Sequence, residues 1–276
     1  MDINDISPAY GETSYIMLGL LLLFLLLFVY NLWRQGKIRK AQGIPATIRP
    51  IPGYDAAQVG FATAAETGRA VHVSPGSGDL SRGGVTAAST LAGMSAIEAV
   101  ARVSAITGAP VQATANAAVT FALTENALRR GYQRAGWTME SESGAARFLT
   151  HDDALAYVAA ASEVVSQNKV SQAVLLGHFG PEVLFLMEAQ RRSGASQIAG
   201  SSNPQALAVM SITADHTIVG EEIFAAGAYL ERRSSHIASL LSQDGLRWAV
   251  LALIIIGFIL VNTLGQSPNE LLTFYP

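Results

Sequence analysis

The sequence predicts an α/β fold: a doubly wound, mainly parallel sheet inserted between two transmembrane helices. Three observations predict it. Short apolar runs alternate with helix-length patterns from residue 70 to residue 233. Two uncharged apolar stretches, 15–33 and 248–264, flank that region. All 18 Lys and Arg residues lie between Arg34 and Arg247.

The chain has 276 residues, half of them apolar and only 14% charged. A soluble domain carries about 25% charge, so the shortfall points to a lipid bilayer as a partner. The absence of cysteine excludes disulfides, thiolate metal sites and cysteine nucleophiles. With a net charge of −3 and no basic patch interleaved with aromatics, nucleic acid is not expected as a partner.

Tyr15–Trp33 (YIMLGLLLLFLLLFVYNLW) holds 19 uncharged residues. At 1.5 Å per residue they span roughly 28 Å, the thickness of a hydrocarbon core. Trp248–Leu264 (WAVLALIIIGFILVNTL) is the second span. Tyr15, Tyr30, Trp33 and Trp248 stand at the ends, where aromatic belts form. A cleaved signal peptide does not fit the first span: acids and no Lys or Arg precede it, and no small-x-small site follows. Both tails carry only acids: Asp2, Asp5 and Glu12 at one end, Glu270 at the other. The positive-inside rule then puts the centre in the cytoplasm and both termini outside the inner (plasma) membrane. The expected layout is a tail at 1–14, a span at 15–33, a basic segment and linker at 34–60, and a cytoplasmic domain at 61–235. A connecting helix at 236–247, a span at 248–264 and a tail at 265–276 complete it. Neither span holds an ionisable group or GxxxG, so each reads as an anchor; a pore would need an oligomer.

Within the domain, three prolines and three glycines at 41–60 predict an irregular lead-in, and 61–69 a short edge strand. Ala70–Ser74 is a strand. Val85–Thr107 is a helix, with Leu91, Met94, Ile97, Val100 and Val103 at three-residue steps and Gly108 as its stop. Val111–Ala115 is the second strand, and Asn116 caps a helix to about Ala135. Arg147–Leu149 is the third strand. Thr150–Asp153 has capping-box spacing, with a helix running on to Gln167. Ser171–Gly177 (SQAVLLG) is the fourth strand, Pro181 opens a helix and Gly194 closes it. Gln197–Ala199 and Ala206–Thr213 are read as the fifth and sixth strands, before a helix from Thr217 to Arg233. Strands alternating with helices mean βαβ units and a parallel sheet.

Ligands of such sheets bind beyond the carboxyl ends of the strands. The first of these ends is SPGSGDLSRGG (74–84). It lacks the Gly-Lys-Ser/Thr of a Walker loop, and Gly76-Ser-Gly78-Asp-Leu-Ser81 meets only two of the three fingerprint glycines. Ser74, Gly76, Ser77, Gly78, Thr114 and Asn116 are the candidate ligand-binding residues, with a phosphate held by backbone N–H groups as the chemistry. No cofactor is assigned. GHFGPE (177–182) and ADHTIVGEE (214–222) supply His178, Glu182, Asp215 and His216 as a candidate metal set. The alternative is capping by Asp215 and His216, and solvation. No Ser-His-acid triad is nominated, and catalytic residues stay unassigned. Glu98 and Glu125 lie mid-helix, facing solvent or a second subunit.

The runs HVSPGSGDLSRGG (72–84), ATANAAVTFALTENALRRGYQRAG (113–136), GHFGPE and ADHTIVGEE resemble an uncharacterised group of prokaryotic membrane-bound proteins. These carry a cytoplasmic domain of unknown function between hydrophobic segments. The resemblance covers residues 60–264 and implies a membrane-bound prokaryotic protein, with no substrate attached.

The leading expectation is a non-enzymatic scaffold or accessory protein whose domain self-associates as a cyclic homo-oligomeric ring. Its interface would use the Ala- and Gly-rich helix faces of 85–107 or 116–135. Other membrane proteins are further candidate partners. A nucleotide- or phosphate-binding enzyme or sensor using the strand-end loops is the alternative, and a pore subunit is the third.

Overall fold

A computed structural model of the chain describes residues 19–34, 49–80, 83–137, 145–150, 153–231 and 234–264. The leucine-rich run forms helix α1 (Gly19–Arg34). Residues 15–18 of the expected first span, and both tails, lie outside the described residues. Where a linker and an edge strand were expected, the chain forms α2 (Pro52–Thr67). Pro52 occupies the first helical turn, where its missing N–H costs nothing, and Gly68 closes the helix in the left-handed region. The prolines of this segment therefore start a helix rather than break one. Tyr54 and Phe61 bury its inner face.

The alternation then unfolds as β1 (Ala70–Gly76), α3 (Gly84–Thr107), β2 (Val111–Ala115), α4 (Ala118–Arg134) and β3 (Ala146–Phe148). It continues through α5 (Ala154–Gln167), β4 (Val170–His178), α6 (Val183–Arg192), β5 (Ser196–Ser201), α7 (Pro204–Thr213) and β6 (His216–Val219). The run at 206–213, expected as the sixth strand, is α7: Asn203 accepts from the Gln205 N–H as its cap and Pro204 starts it. The sixth strand follows it, and the expected helix from Thr217 is replaced by β6, a 3₁₀ turn (Gly220–Ala225) and α8 (Ala226–Glu231).

The six strands order as β3-β2-β1-β4-β5-β6, and every pairing is parallel. The chain thus runs outward from β1 to β3, then returns to β1's other side and runs outward again. This is the order of doubly wound sheets, with its reversal between β1 and β4. Helices α2, α3, α4 and α8 pack together, as do α5, α6 and α7. Under the second group lies a core that includes Tyr157, Val165, Leu175, Phe179, Leu186 and Met210. In the first, α3 lies against β1 and β4 and buries Ile97 and Val100.

The last helix, α9 (Ser234–Leu264), is continuous. It merges the expected connecting helix and second span. By length and composition, two helices among the described residues are apolar enough to cross a membrane: Gly84–Thr107 and Ser235–Ile259. The first is α3, with 56% of its apolar window buried inside the protein; it is the core helix of the sheet. The second buries only 6% of its window.

The chain divides into two units, Arg49–Arg233 and the pair of flanking segments that contain α1 and α9. In the second unit, Asn31 of α1 donates to the Ser242 hydroxyl of α9 at 3.2 Å and to Leu27 O at 2.9 Å. Leu27 also lies against Gly245, so α1 and α9 run antiparallel.

Candidate functional site

At the reversal, β1 and β4 end side by side. A hollow of about 220 Å³ opens there, lined by Ser77, Gly78, Asp79, Thr86, Asn116, Ala154, His178, Gly180 and Glu182. Five residues nominated from the sequence meet in it: Ser77, Gly78, Asn116, His178 and Glu182. A larger hollow of about 480 Å³ lies away from the strand ends, beside Ser166, Phe185 and Arg192.

One chain of hydrogen bonds ties the loops around the smaller hollow. Thr150, following β3, donates to Asn116 Oδ1 at 2.8 Å. Asn116, following β2, donates through Nδ2 to Ser77 O at 2.9 Å. The Ser77 hydroxyl donates to Glu182 Oε1 at 3.1 Å, and the Gly180 N–H donates to the same oxygen at 3.0 Å. Asn116 therefore is not the cap of α4 that its position suggested; the N-cap residue is Ala117, and no side chain bonds there. Likewise Asp153, not Thr150, caps α5, its carboxylate accepting from the Leu155 and Ala156 N–H groups. His151 and Asp152 lie outside the described residues.

Ser74 and Thr114 do not reach the hollow. They belong to a buried polar chain beneath it. Gln190 Nε2 donates to His72 Nδ1 at 3.0 Å, and His72 Nε2 meets Thr114 Oγ1 at 3.0 Å. Thr114 Oγ1 meets the Tyr157 hydroxyl at 2.9 Å, and that hydroxyl meets Ser74 Oγ at 2.5 Å. The Gly76 N–H donates to Ser74 Oγ at 3.0 Å and closes the chain. Burial lowers the His72 pKa to about 4, so the ring is neutral and Nε2 is its donor once Nδ1 accepts. Burial pushes the Tyr157 hydroxyl up to about 12, against the opposing pull of its bonds to Ser74 and Thr114. His72, Tyr157 and Gln190 escaped sequence reading. His72 sat within an apolar run, and the other two carry no local signal.

The glycines of the first loop serve packing. A Cβ on Gly76 would stand 1.8 Å from His178 O, and one on Gly177 would stand 2.0 Å from Pro75 O. These two strand ends touch through bare backbone, at φ 98° and 151°. The Gly76 N–H is spent on Ser74, and Asp79 and Glu182 bring negative charge to the hollow. Both facts weigh against the phosphate cradle expected of this loop.

The four residues of the candidate metal set are divided. His178 and Glu182 line the hollow. Asp215 and His216 precede or open β6, at the opposite end of the strands, where Asp215 Oδ2 accepts from the Gln197 N–H at 2.8 Å. The misread sixth strand is the reason the sequence put them on the wrong edge. Among the described residues, no group of three or more His, Cys, Asp or Glu side chains is placed to hold a metal.

Glu98 pairs with Arg130, at 3.1 Å, and with Arg134, both on α4. Gly131 brings α4 onto α3, where a Cβ would stand 2.5 Å from Ala101 Cβ. On α3 the small residues expected at a subunit interface, Ala96, Ala99 and Ala101 among them, are buried within the chain, whereas Ala118 and Ala122 of α4 are exposed. Glu125 is exposed.

The profile of a family described as a domain of unknown function, DUF6754, matches residues 9–272. The chain belongs to that family. Members of DUF6754 are defined over nearly the whole length of this chain, so the α/β unit and both flanking helical segments fall within one family unit. Neither curated proteins nor solved structures give a match.

Proposed function

We propose that this chain is a twice-anchored membrane protein whose α/β domain, on the cytoplasmic face of a prokaryotic inner membrane, takes up a small polar ligand between the ends of β1 and β4. The observation that carries the reading is a coincidence of place. The hollow lies where the strand order reverses, the position at which doubly wound sheets bind ligands. Its rim is already ordered by the Thr150–Asn116–Ser77–Glu182 chain, which lowers the entropy lost on binding.

The lining selects the ligand class. About 220 Å³ is the volume of roughly seven waters of liquid. Glu182 repels a phosphate and accepts from hydroxyl or ammonium donors, while Ser77, Thr86 and Asn116 add neutral partners. The ligand is a small donor-rich molecule, such as a polyol, a sugar, a nucleoside or an amine. A self-associating scaffold is the second reading. It would need surfaces outside the buried α3–α4 contact, and Val85, Leu91 and Ile106 of α3 are exposed by 70%, 52% and 63%.

Thermal unfolding of the full-length protein in mild detergent, against a panel of such ligands, tests the proposal. One class should raise Tm saturably; a ligand at a hundred times its Kd adds about 2.7 kcal/mol. Glu182→Gln and Asn116→Ala should each weaken that ligand at least about tenfold, the loss of one hydrogen bond to a charged or buried partner. Inorganic phosphate and nucleotides should leave Tm unchanged. No shift from any donor-rich ligand, or saturable phosphate binding indifferent to both substitutions, overturns the proposal.

A further inference from the structure

Strand register sets up an unusual row inside the sheet. His72 of β1 pairs with Ala173 of β4, and Ala173 pairs with Gln197 of β5. The three side chains stand on one face in one line, and strands lie about 4.8 Å apart. A single methyl group thus separates two long polar side chains over roughly 10 Å. Gln190 of α6 reaches down to this row and donates through Nε2 to His72 Nδ1 at 3.0 Å. Gln197 reaches up to α6 and donates through Nε2 to Met187 O. Helix carbonyls point toward the C-terminus, so Met187 O lies level with residues 190 and 191. Both amides therefore converge on one turn of α6, above Ala173.

Each amide has a second atom with nothing to bond. Gln190 Oε1 and Gln197 Oε1 are buried and have no hydrogen-bond partner, on residues exposed by 0% and 2%. Turning either amide over does not remove the problem. A reversed Gln190 accepts from His72 and strands its Nε2 instead. A reversed Gln197 sets its oxygen against Met187 O. Buried polar atoms in folded proteins nearly always find a partner, among side chains, backbone or ordered water.

We infer that the α/β domain holds one ordered water molecule over Ala173, donating to Gln190 Oε1 and Gln197 Oε1. Water has the two donors that two acceptors need, and both acceptors belong to side chains that meet one turn of α6 from either side of Ala173. Two neutral oxygens are too few for a calcium or magnesium ion, which takes six or more ligands, and zinc needs four. The water completes a buried chain from Gln197 through Gln190, His72, Thr114 and Tyr157 to Ser74 and the Gly76 N–H. It joins β5 to the β1 end beneath the hollow. The inference is independent of what the hollow binds.

An experimental density map of the full chain at better than about 2 Å is the direct test. One peak at hydrogen-bond distance from both Oε1 atoms is the expected result. An empty position, or a peak ringed by further oxygens at cation distances, overturns the inference. A second measurement is oxygen-17 relaxation dispersion of water, which counts long-lived interior waters. Gln197→Met should hold one fewer than the parent protein, with unchanged far-ultraviolet circular dichroism. An equal count in a folded variant overturns the inference as well. If the variant does not fold, the map alone decides.

Discussion

His72 is fully buried, with Gln190 on one ring nitrogen and Thr114 on the other. Burial lowers its pKa from 6.5 to about 4. Between those values the unfolded chain binds a proton that the native chain does not, so stability falls as pH drops through that window. Above pH 6.5 both states are neutral at this residue, and below pH 4 both are charged, so the slope flattens on either side. The full loss amounts to about 3 kcal/mol. Urea unfolding midpoints of the full-length protein, measured from pH 7.5 to 4.5, should fall over the lower part of that range. His72→Gln should make the fall shallower; an unchanged slope would assign the acid sensitivity to other groups. Legibility at this scale was uneven. Ser77, Gly78, Asn116, His178 and Glu182 could be picked from the sequence because residues after a strand's carboxyl end gather at one edge. Ser74 and Thr114 were picked by the same rule, yet they point inward. Neither residue ends its strand: β1 runs on to Gly76 and β2 to Ala115, so both side chains still belong to a covered sheet face. No pattern in the sequence marks how far β1 extends.

At the scale of elements, β2 was legible to the residue, and α3 to within one residue. Both have a clear period and a clear stop. The run at 206–213 was not, because a short continuous apolar stretch suits a strand or a helix equally. Asn203-Pro204 was the signal that could have decided it, as a cap followed by a first-turn proline. One demanding contact between elements is α3 on the strand ends. A Cβ on Gly93 would stand 2.4 Å from Leu176 O and 2.8 Å from Pro75 Cα, both backbone atoms that cannot move alone. Gly93→Ala gains about 1 kcal/mol of helix propensity and loses about 1–3 kcal/mol to overpacking. The net should be a loss of about 1 kcal/mol, read as a lower urea midpoint, despite the better helix former. A gain in stability would mean that α3 lies farther from the sheet than described.

For the whole molecule, the sequence yielded a parallel sheet between two helical segments, but strand order depends on contacts across the chain and left no local trace. Orientation is the open quantity that chemistry can read, since the chain has no cysteine of its own. Ser7→Cys and Ser267→Cys should react with a membrane-impermeant thiol reagent in intact cells, and Ser141→Cys should not. Labelling at Ser141 would reverse the orientation proposed. The pairing of α1 with α9 also carries a consequence in time. Asn31 and Ser242 are 211 residues apart in sequence. A ribosome adding about 5–20 residues per second needs about 10–40 s to cover that distance. For that interval α1 has no α9 beside it, and the entire α/β unit emerges before the helix that completes the pair. The α/β unit is therefore synthesised in full, and free to begin folding, before α9 exists to pair with α1.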